Sequence, residues 1–217
     1  MYFGHYEQSS DPAHGMEPIL WRVLEVTDEE LFLLSEFGLE NRNIIDTWQA
    51  YTWETSSLRK YLNKEFLEKA FTVKEMEAIS VSKIETKENR LHGTSSGNTT
   101  WDKVFLLSEE EVTNPLYGFT DDFTKASKTR AMQVTEWSLK HDGYRKQENG
   151  NTCWWLRSMG LNNYYASYIY TNGSGTYSSF IGRRHDGIRP AIRVDLSKVS
   201  FSKPAEGEHS ILLANMN

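Results

Sequence analysis

Apolar positions along the chain change period several times, and each change predicts an element. Glu17 to Val26 reads as a strand, Val26 to Glu30 as a turn, and Leu31-Phe32-Leu33-Leu34-Ser35 as the partner strand of a hairpin. The period then becomes helical. Leu58, Tyr61, Leu62, Phe66 and Ala70 recur at three- and four-residue spacing behind Thr55 or Ser56, either of which can cap the first free N–H groups. That stripe is expected to pack on the sheet. Thr72-Val73-Lys74-Glu75 has capping-box spacing and opens a second short helix through Ile79.

From Glu85 to Thr100 the chain turns polar and reads as an exposed loop. Trp101 to Leu107 is the next expected strand, ended by a second capping box at Ser108-Glu109-Glu110-Glu111. Between Asn114 and Asn151 no period is sustained, except that Arg130 to Leu139 fits a helix. Cys153 to Ser158 is a strand. Two or three short strands follow around Tyr165–Tyr170 and Thr176–Ile181, joined at Asn172-Gly173, a dipeptide that favours a hairpin turn with positive φ. Ile188 to Leu196 closes the sheet, with Pro190 confined to an edge or bulge because it cannot donate to a ladder. No repeat or linker divides residues 1–217, so the expected organisation is one α+β domain.

Composition narrows the function classes. The chain is 38% hydrophobic and 13% aromatic with seven Trp, which suits an ordered domain rather than a disordered one. No apolar run reaches the roughly 20 residues that span a bilayer, and the first residues show neither the basic nor the apolar region of a secretory signal. Membrane insertion is not expected, and a place on a virion or cell surface would have to come through a partner. A net charge of −6 argues against nucleic acid as a partner. The single cysteine, Cys153, excludes an intrachain disulfide and reads as a small buried hydrophobe.

The stretch from Leu161 to Gly187 differs from the rest. It holds five of the chain's eleven tyrosines among Asn, Ser, Gly, Thr, Arg and His, the composition on which antibody binding loops converge. Lys, Glu, Gln, Trp and Met are all missing between Gly160 and Ser197, although charged residues make up 25% of the chain. Those five types are the ones that no codon ending in a pyrimidine encodes, so randomising the first two bases of Asn codons would yield the residues present. The other explanation is that exposed hairpins avoid Lys and Glu, whose β propensity is low.

Six motifs occur in a recognisable order: Tyr2-Phe3-Gly4 with Tyr6-Glu7-Gln8; Glu17-Pro18-Ile19 with Trp21-Arg22-Val23-Leu24; Thr52 to Arg59; Asp102 to Ser108; Trp154-Trp155-Leu156-Arg157-Ser158-Met159-Gly160; and Ile188-Arg189-Pro190-Ala191. The order resembles a bacterial and phage domain family, formally of unknown function, that carries a W-W-L-R-S-P-G motif, a Tyr/Asn-rich stretch and a V-R-P-A closing strand. Met159 stands where that motif usually has Pro. The family is similar to C-type-lectin folds of the formylglycine-generating-enzyme type, some of whose members are variable proteins of diversity-generating retroelements. The resemblance implies a C-type-lectin-like fold: a twisted antiparallel sheet flanked by two or more helices, with an irregular, loop-rich C-terminal binding face. It also implies that adenines of Asn codons in the variable segment are mutagenised.

The expected function is therefore binding: a receptor-binding or adhesin-like variable protein whose partner is a protein on a target cell or virion surface. An undiversified structural or interaction module of a bacterial or phage surface assembly is the alternative. The anchors are Tyr164, Tyr165, Tyr168, Tyr170, Tyr177, Phe180, Arg183, Arg184 and His185, because binding energy concentrates in aromatic and Arg side chains. Asn162, Asn163, Ser167, Thr171, Asn172, Thr176, Ser178, Ser179, Ile181 and Asp186 are the adjustable neighbours, over a frame of Ala166, Ile169, Gly173 and Gly182. Trp154, Trp155, Arg157 and Arg189 are expected beneath the face, with the two arginines tying down loop carbonyls. Catalysis is not expected, nor is a cofactor or a metal. Formylglycine-type oxidation needs reactive cysteines, a calcium site needs a carboxylate cluster, and no pair of the six histidines has metal-ligand spacing.

Overall fold

The computed structural model describes residues 1–141, 150–180, 186–202 and 211–213. Strands in chain order are β1 (Tyr2–Glu7), β2 (Met16–Val26), β3 (Glu30–Ser35), β4 (Glu40–Asn41), β5 (Ser82–Ile84), β6 (Thr100–Asp102), β7 (Val104–Phe105), β8 (Trp154–Met159), β9 (Tyr165–Ile169), β10 (Gly175–Phe180), β11 (Gly187–Ile188), β12 (Ala191–Asp195), β13 (Val199–Phe201) and β14 (Ile211–Leu213). Helices are α1 (Ser57–Tyr61), α2 (Leu67–Ala70), α3 (Val73–Ala78), α4 (Glu109–Val112) and α5 (Glu136–His141). The chain is thus α+β. One five-stranded sheet runs β1-β2-β3-β12-β7 and a second runs β10-β9-β8-β11-β4, with two-stranded sheets β13-β14 and β5-β6 beside them. The first sheet brings β12 alongside β3, far apart in sequence.

Where the apolar pattern was strongest, the expected elements form. Ser56 is the helix cap, accepting from Arg59 N at 3.2 Å. The stripe Leu58, Tyr61, Leu62, Phe66 and Ala70 is buried throughout. A π-turn over Leu62–Phe66 joins α1 to α2, and Phe66 packs against Tyr6 with ring centroids 5.3 Å apart. Both capping boxes close, at Thr72/Glu75 and at Ser108/Glu111.

Three expectations need correction. Trp101 to Leu107 is not one strand: β6 pairs with β5 while β7 joins the first sheet. Helix over Arg130 to Leu139 is confined to α5, because the Arg130 side chain is turned into the interior by carbonyl acceptors. Ile188 to Leu196 is broken at Arg189-Pro190, so that β11 lies in the second sheet and β12 in the first. The break is shared by the opposite chain segment. β3 pairs with β12 and β4 with β11, and the crossing is stitched by Ser35 N to Pro190 O (2.9 Å) and Leu39 N to Ile188 O (3.0 Å). Proline, with no N–H to lose, sits where the strand passes from one sheet to the other.

Candidate functional site

The tyrosine-rich segment forms the outer edge of the second sheet. β8, its inner neighbour, is buried at all six positions. Both of its indoles find acceptors: Trp154 Nε1 donates to Arg130 O and Trp155 Nε1 to Arg42 O, each at 2.9 Å. Arg157 donates to Leu106 O and to Glu111 at the cap of α4. Arg189, wholly buried, donates through Nε to Ser35 O at 2.8 Å and lies 5.1 Å from the Trp154 ring. Its Nη1 and Nη2 make no hydrogen bond. Burial, helped by the Arg22 charge and opposed by Glu36, brings its pKa down to about 9. All four residues expected in the frame are buried.

β9 pairs with β8 on one side and β10 on the other, with an irregular step between Thr176 and Ser179. Burial along β9 does not follow strict alternation, since the consecutive Ala166 and Ser167 both point into packed surroundings. Ala166, Ser167 and Ile169 are fully buried, whereas Tyr165 and Tyr168 are half-buried and Tyr170 is 43% exposed. Thr176 and Tyr177 are half-buried, and Asn162, Tyr164, Asn172 and Ser178 are exposed. All five tyrosines of the segment therefore reach solvent. Ser167, Thr171 and Asp186 do not: they were expected as adjustable neighbours, but all three are buried, and Ser167 Oγ donates inward to Met159 O at 2.8 Å. They belong to the frame. Residues 181–185, which include Ile181, Gly182, Arg183, Arg184 and His185, lie outside the described residues, as do the side chains of Ser179 and Phe180.

Several of the polar residues shape the segment itself. Asn162 Oδ1 accepts from Tyr164 N, and Asn172 Oδ1 from Ser174 N, both at 2.9 Å, so each closes an Asx-type turn. Asn163 Nδ2 donates to Tyr51 O at 3.0 Å and to Ser95 O at 3.3 Å. At the tip, Gly173 has φ 81°, and an added Cβ would lie 1.9 Å from Ser127 O. Only glycine fits there. Arg130 holds the same turn from inside, donating to Gly173 O at 2.7 Å and to the carbonyls of Thr120, Asp122 and Lys125 at 2.9, 2.8 and 2.6 Å.

Three loops of the chain meet beside the hairpin. Tyr164 stacks on Trp48, ring centroids 5.7 Å apart. Leu161 O accepts from Thr94 Oγ1, and the His92 ring meets the edge of Tyr177 at 5.5 Å. Tyr177 donates to Glu109 Oε1 at 2.8 Å. Burial, with that bond and the Glu109 charge, holds its phenol protonated well above the usual range. Trp48, His92 and Arg130 were missed from the sequence. An isolated Trp in the polar run Asp46 to Ala50 was the available signal for Trp48; nothing in the pattern marked Arg130. Cys153 is half-buried, and burial together with the nearby Asp186 charge raises its thiol to about 12. It stays a thiol at neutral pH, consistent with a packing role.

Two clefts lie elsewhere, one lined by Tyr2, Gln8, Glu17, Pro18, Leu20 and Phe37, the other by Asp28, Glu29, Glu30, Ser80, Asp195 and Leu196. Among the described residues no three His, Cys, Asp or Glu side chains cluster as metal ligands, and no helix is long and apolar enough to cross a membrane.

Residues 28–196 match the profile of a domain of unknown function (DUF6273), and the chain belongs to that family. No curated protein and no solved structure matches it.

Proposed function

We propose that this DUF6273-family chain is a ligand-binding protein: one C-type-lectin-like domain that displays a variable Tyr/Asn/Ser-rich surface to a protein partner, in the manner of diversity-generating retroelement systems. The observation that carries the reading is the sorting of one hairpin into two populations. Ala166, Ser167, Ile169, Thr171 and Gly173 are buried and tied down, while Tyr164, Tyr165, Tyr168, Tyr170 and Tyr177 all reach solvent on the same strands and turns. A rigid frame with accessible tyrosines suits a wet, polar protein interface of roughly 800 Å² per partner better than an enclosed metabolite site.

The undiversified interaction module of a bacterial or phage surface assembly is the second reading. Asn163, bonded to two loop carbonyls, and Tyr177, bonded to Glu109, favour it, since a mutagenised position should not also brace the scaffold. Sequencing the gene's surroundings separates the two. A nearby, near-identical repeat whose mismatches all fall at adenines supports diversification; a locus without one leaves the fixed module. Binding itself is tested by changing Tyr164 and Tyr170 to Ser together and screening both proteins against a displayed panel of surface proteins. A binding profile unchanged by that pair would sink the assignment of this face.

A further inference from the structure

Residues 127–131 clasp the Asn172-Gly173 tip of the hairpin. Ser127 N donates to Asn172 O at 3.0 Å and Arg130 Nε to Gly173 O at 2.7 Å. Ser127 O accepts from the amides of Arg130 and Ala131, which folds the clasp into a tight turn, and the hydroxyls of Ser127 and Thr129 share a hydrogen bond of 2.9 Å. One end of the clasp is held at Arg130, whose O accepts from Trp154 Nε1 at 2.9 Å. The other end is held at Thr129 by a residue of the first sheet.

That residue is Arg22, on β2. Its Nη1 donates to Thr129 O at 2.6 Å, while its Nε and Nη2 grip the Glu36 carboxylate at 3.0 and 2.6 Å. Glu36 is itself fixed where the chain leaves β3 for β4, its N–H donating to Leu20 O at 2.9 Å. One guanidinium therefore joins the first sheet, the passage between the sheets and the clasp. An ammonium is a point charge without that planar fork and cannot make all three bonds in the same geometry. Burial pushes the Glu36 carboxyl up, but the bond and charge of Arg22, with the Arg189 charge, hold it below the usual carboxylate range, so it stays ionised at neutral pH. The two side chains are 28% and 32% exposed, and a bidentate pair of this kind keeps more of its strength than most surface ion pairs.

We infer that Arg22 and Glu36 are positioning residues for the tyrosine hairpin: through Thr129 they fix the clasp, and the clasp fixes the tip and the adjoining Tyr170, whose O accepts from Gly173 N at 2.8 Å. The inference rests on reading that hairpin as the binding face. A tip held in one geometry before a partner arrives has less entropy to lose on binding. Neither residue lies in the Leu161–Gly187 stretch, so the brace stays constant whatever that stretch presents.

Native-state amide exchange on the full chain tests this. The N–H groups of Ser127 and Gly173 report on the clasp and the tip, and those of Met76 and Ile79, bonded to Thr72 O and Glu75 O at α3, serve as remote controls. Arg22→Met should speed exchange about ten-fold at Ser127 and Gly173, the equivalent of one hydrogen bond from a charged donor, and leave Met76 and Ile79 unchanged. Glu36→Gln keeps an acceptor for Arg22 and should speed the same two sites only about two- to three-fold. Unchanged exchange at the tip in Arg22→Met overturns the inference. An equal rise at all four amides overturns it too, because Arg22 then supports the whole fold and not the tip. If Arg22→Met does not fold, Glu36→Gln decides by the same two criteria. Either negative leaves the binding face standing; that face falls instead if the paired Tyr164 and Tyr170 substitutions leave binding unchanged.

Discussion

β8 and the β9–β10 hairpin lie side by side in one sheet, yet their side chains meet opposite fates. All six residues of β8 are buried, including Arg157. In the hairpin, buried Ala166, Ser167 and Ile169 are interspersed with tyrosines that reach water. Cover on the two faces makes the difference. β8 is buried along its whole length and β9, although it too has a strand on each side, is not; a strand covered on both faces must be close to continuously apolar or have its polar groups partnered.

The largest test of that contrast is Trp155→Ala. Truncating a fully buried indole should cost about 3–5 kcal/mol in cooperative denaturant unfolding, and a loss below about 1 kcal/mol would show that β8 is not the frame. Arg130→Met comes next. Several buried carbonyls would lose a charged donor at about 1–3 kcal/mol for each group left unsatisfied, without simple additivity, so we expect roughly 3 kcal/mol and faster amide exchange at the hairpin tip. Gly173→Ala should cost at least about 1 kcal/mol from its left-handed φ alone, with the clash on Ser127 O adding to it; Ser174→Ala, next to it, should cost less in the same melts.

Tyrosine substitutions sharpen the comparison at its small end. Tyr164→Ser and Tyr170→Ser should each stay within about 0.5 kcal/mol of the parent. Tyr177→Phe should lose about 1 kcal/mol through its bond to Glu109. If all three cost the same, exposure has not sorted the hairpin. The smallest effect concerns Cys153. With its thiol raised to about 12, alkylation by iodoacetamide should be slow at pH 7–8 and should still be accelerating at pH 10, where an ordinary cysteine has levelled off, because only the thiolate reacts. A rate plateau near pH 9 would contradict the burial of Cys153 beside Asp186.

Local chemistry was legible residue by residue. The caps at Ser56, Thr72 and Ser108, the stripe from Leu58 to Ala70 and the turn at Asn172-Gly173 each depend on neighbours within a few positions, so spacing reveals them. The frame role of Trp154, Trp155, Arg157 and Arg189 was legible too, because large apolar and lone charged side chains inside a strand must be buried and partnered. Within the tyrosine-rich segment, composition could not tell exposed side chains from buried ones. Ser167, Thr171 and Asp186 look as polar as Ser178, and only register decides which of them meets solvent.

What the sequence determined by itself was the first hairpin, the apolar helix stripe, the caps and the turn glycine, and where the tyrosines are concentrated, since these follow from short-range periodicity and residue type. Tertiary structure alone decided that the closing strand breaks at Pro190 and feeds two sheets. It also decided that Arg130 turns inward to hold a glycine 43 residues away, and that Trp48 arrives beside Tyr164. Each of these depends on backbone carbonyls or rings brought together from distant parts of the chain, and no local pattern encodes where such partners will be.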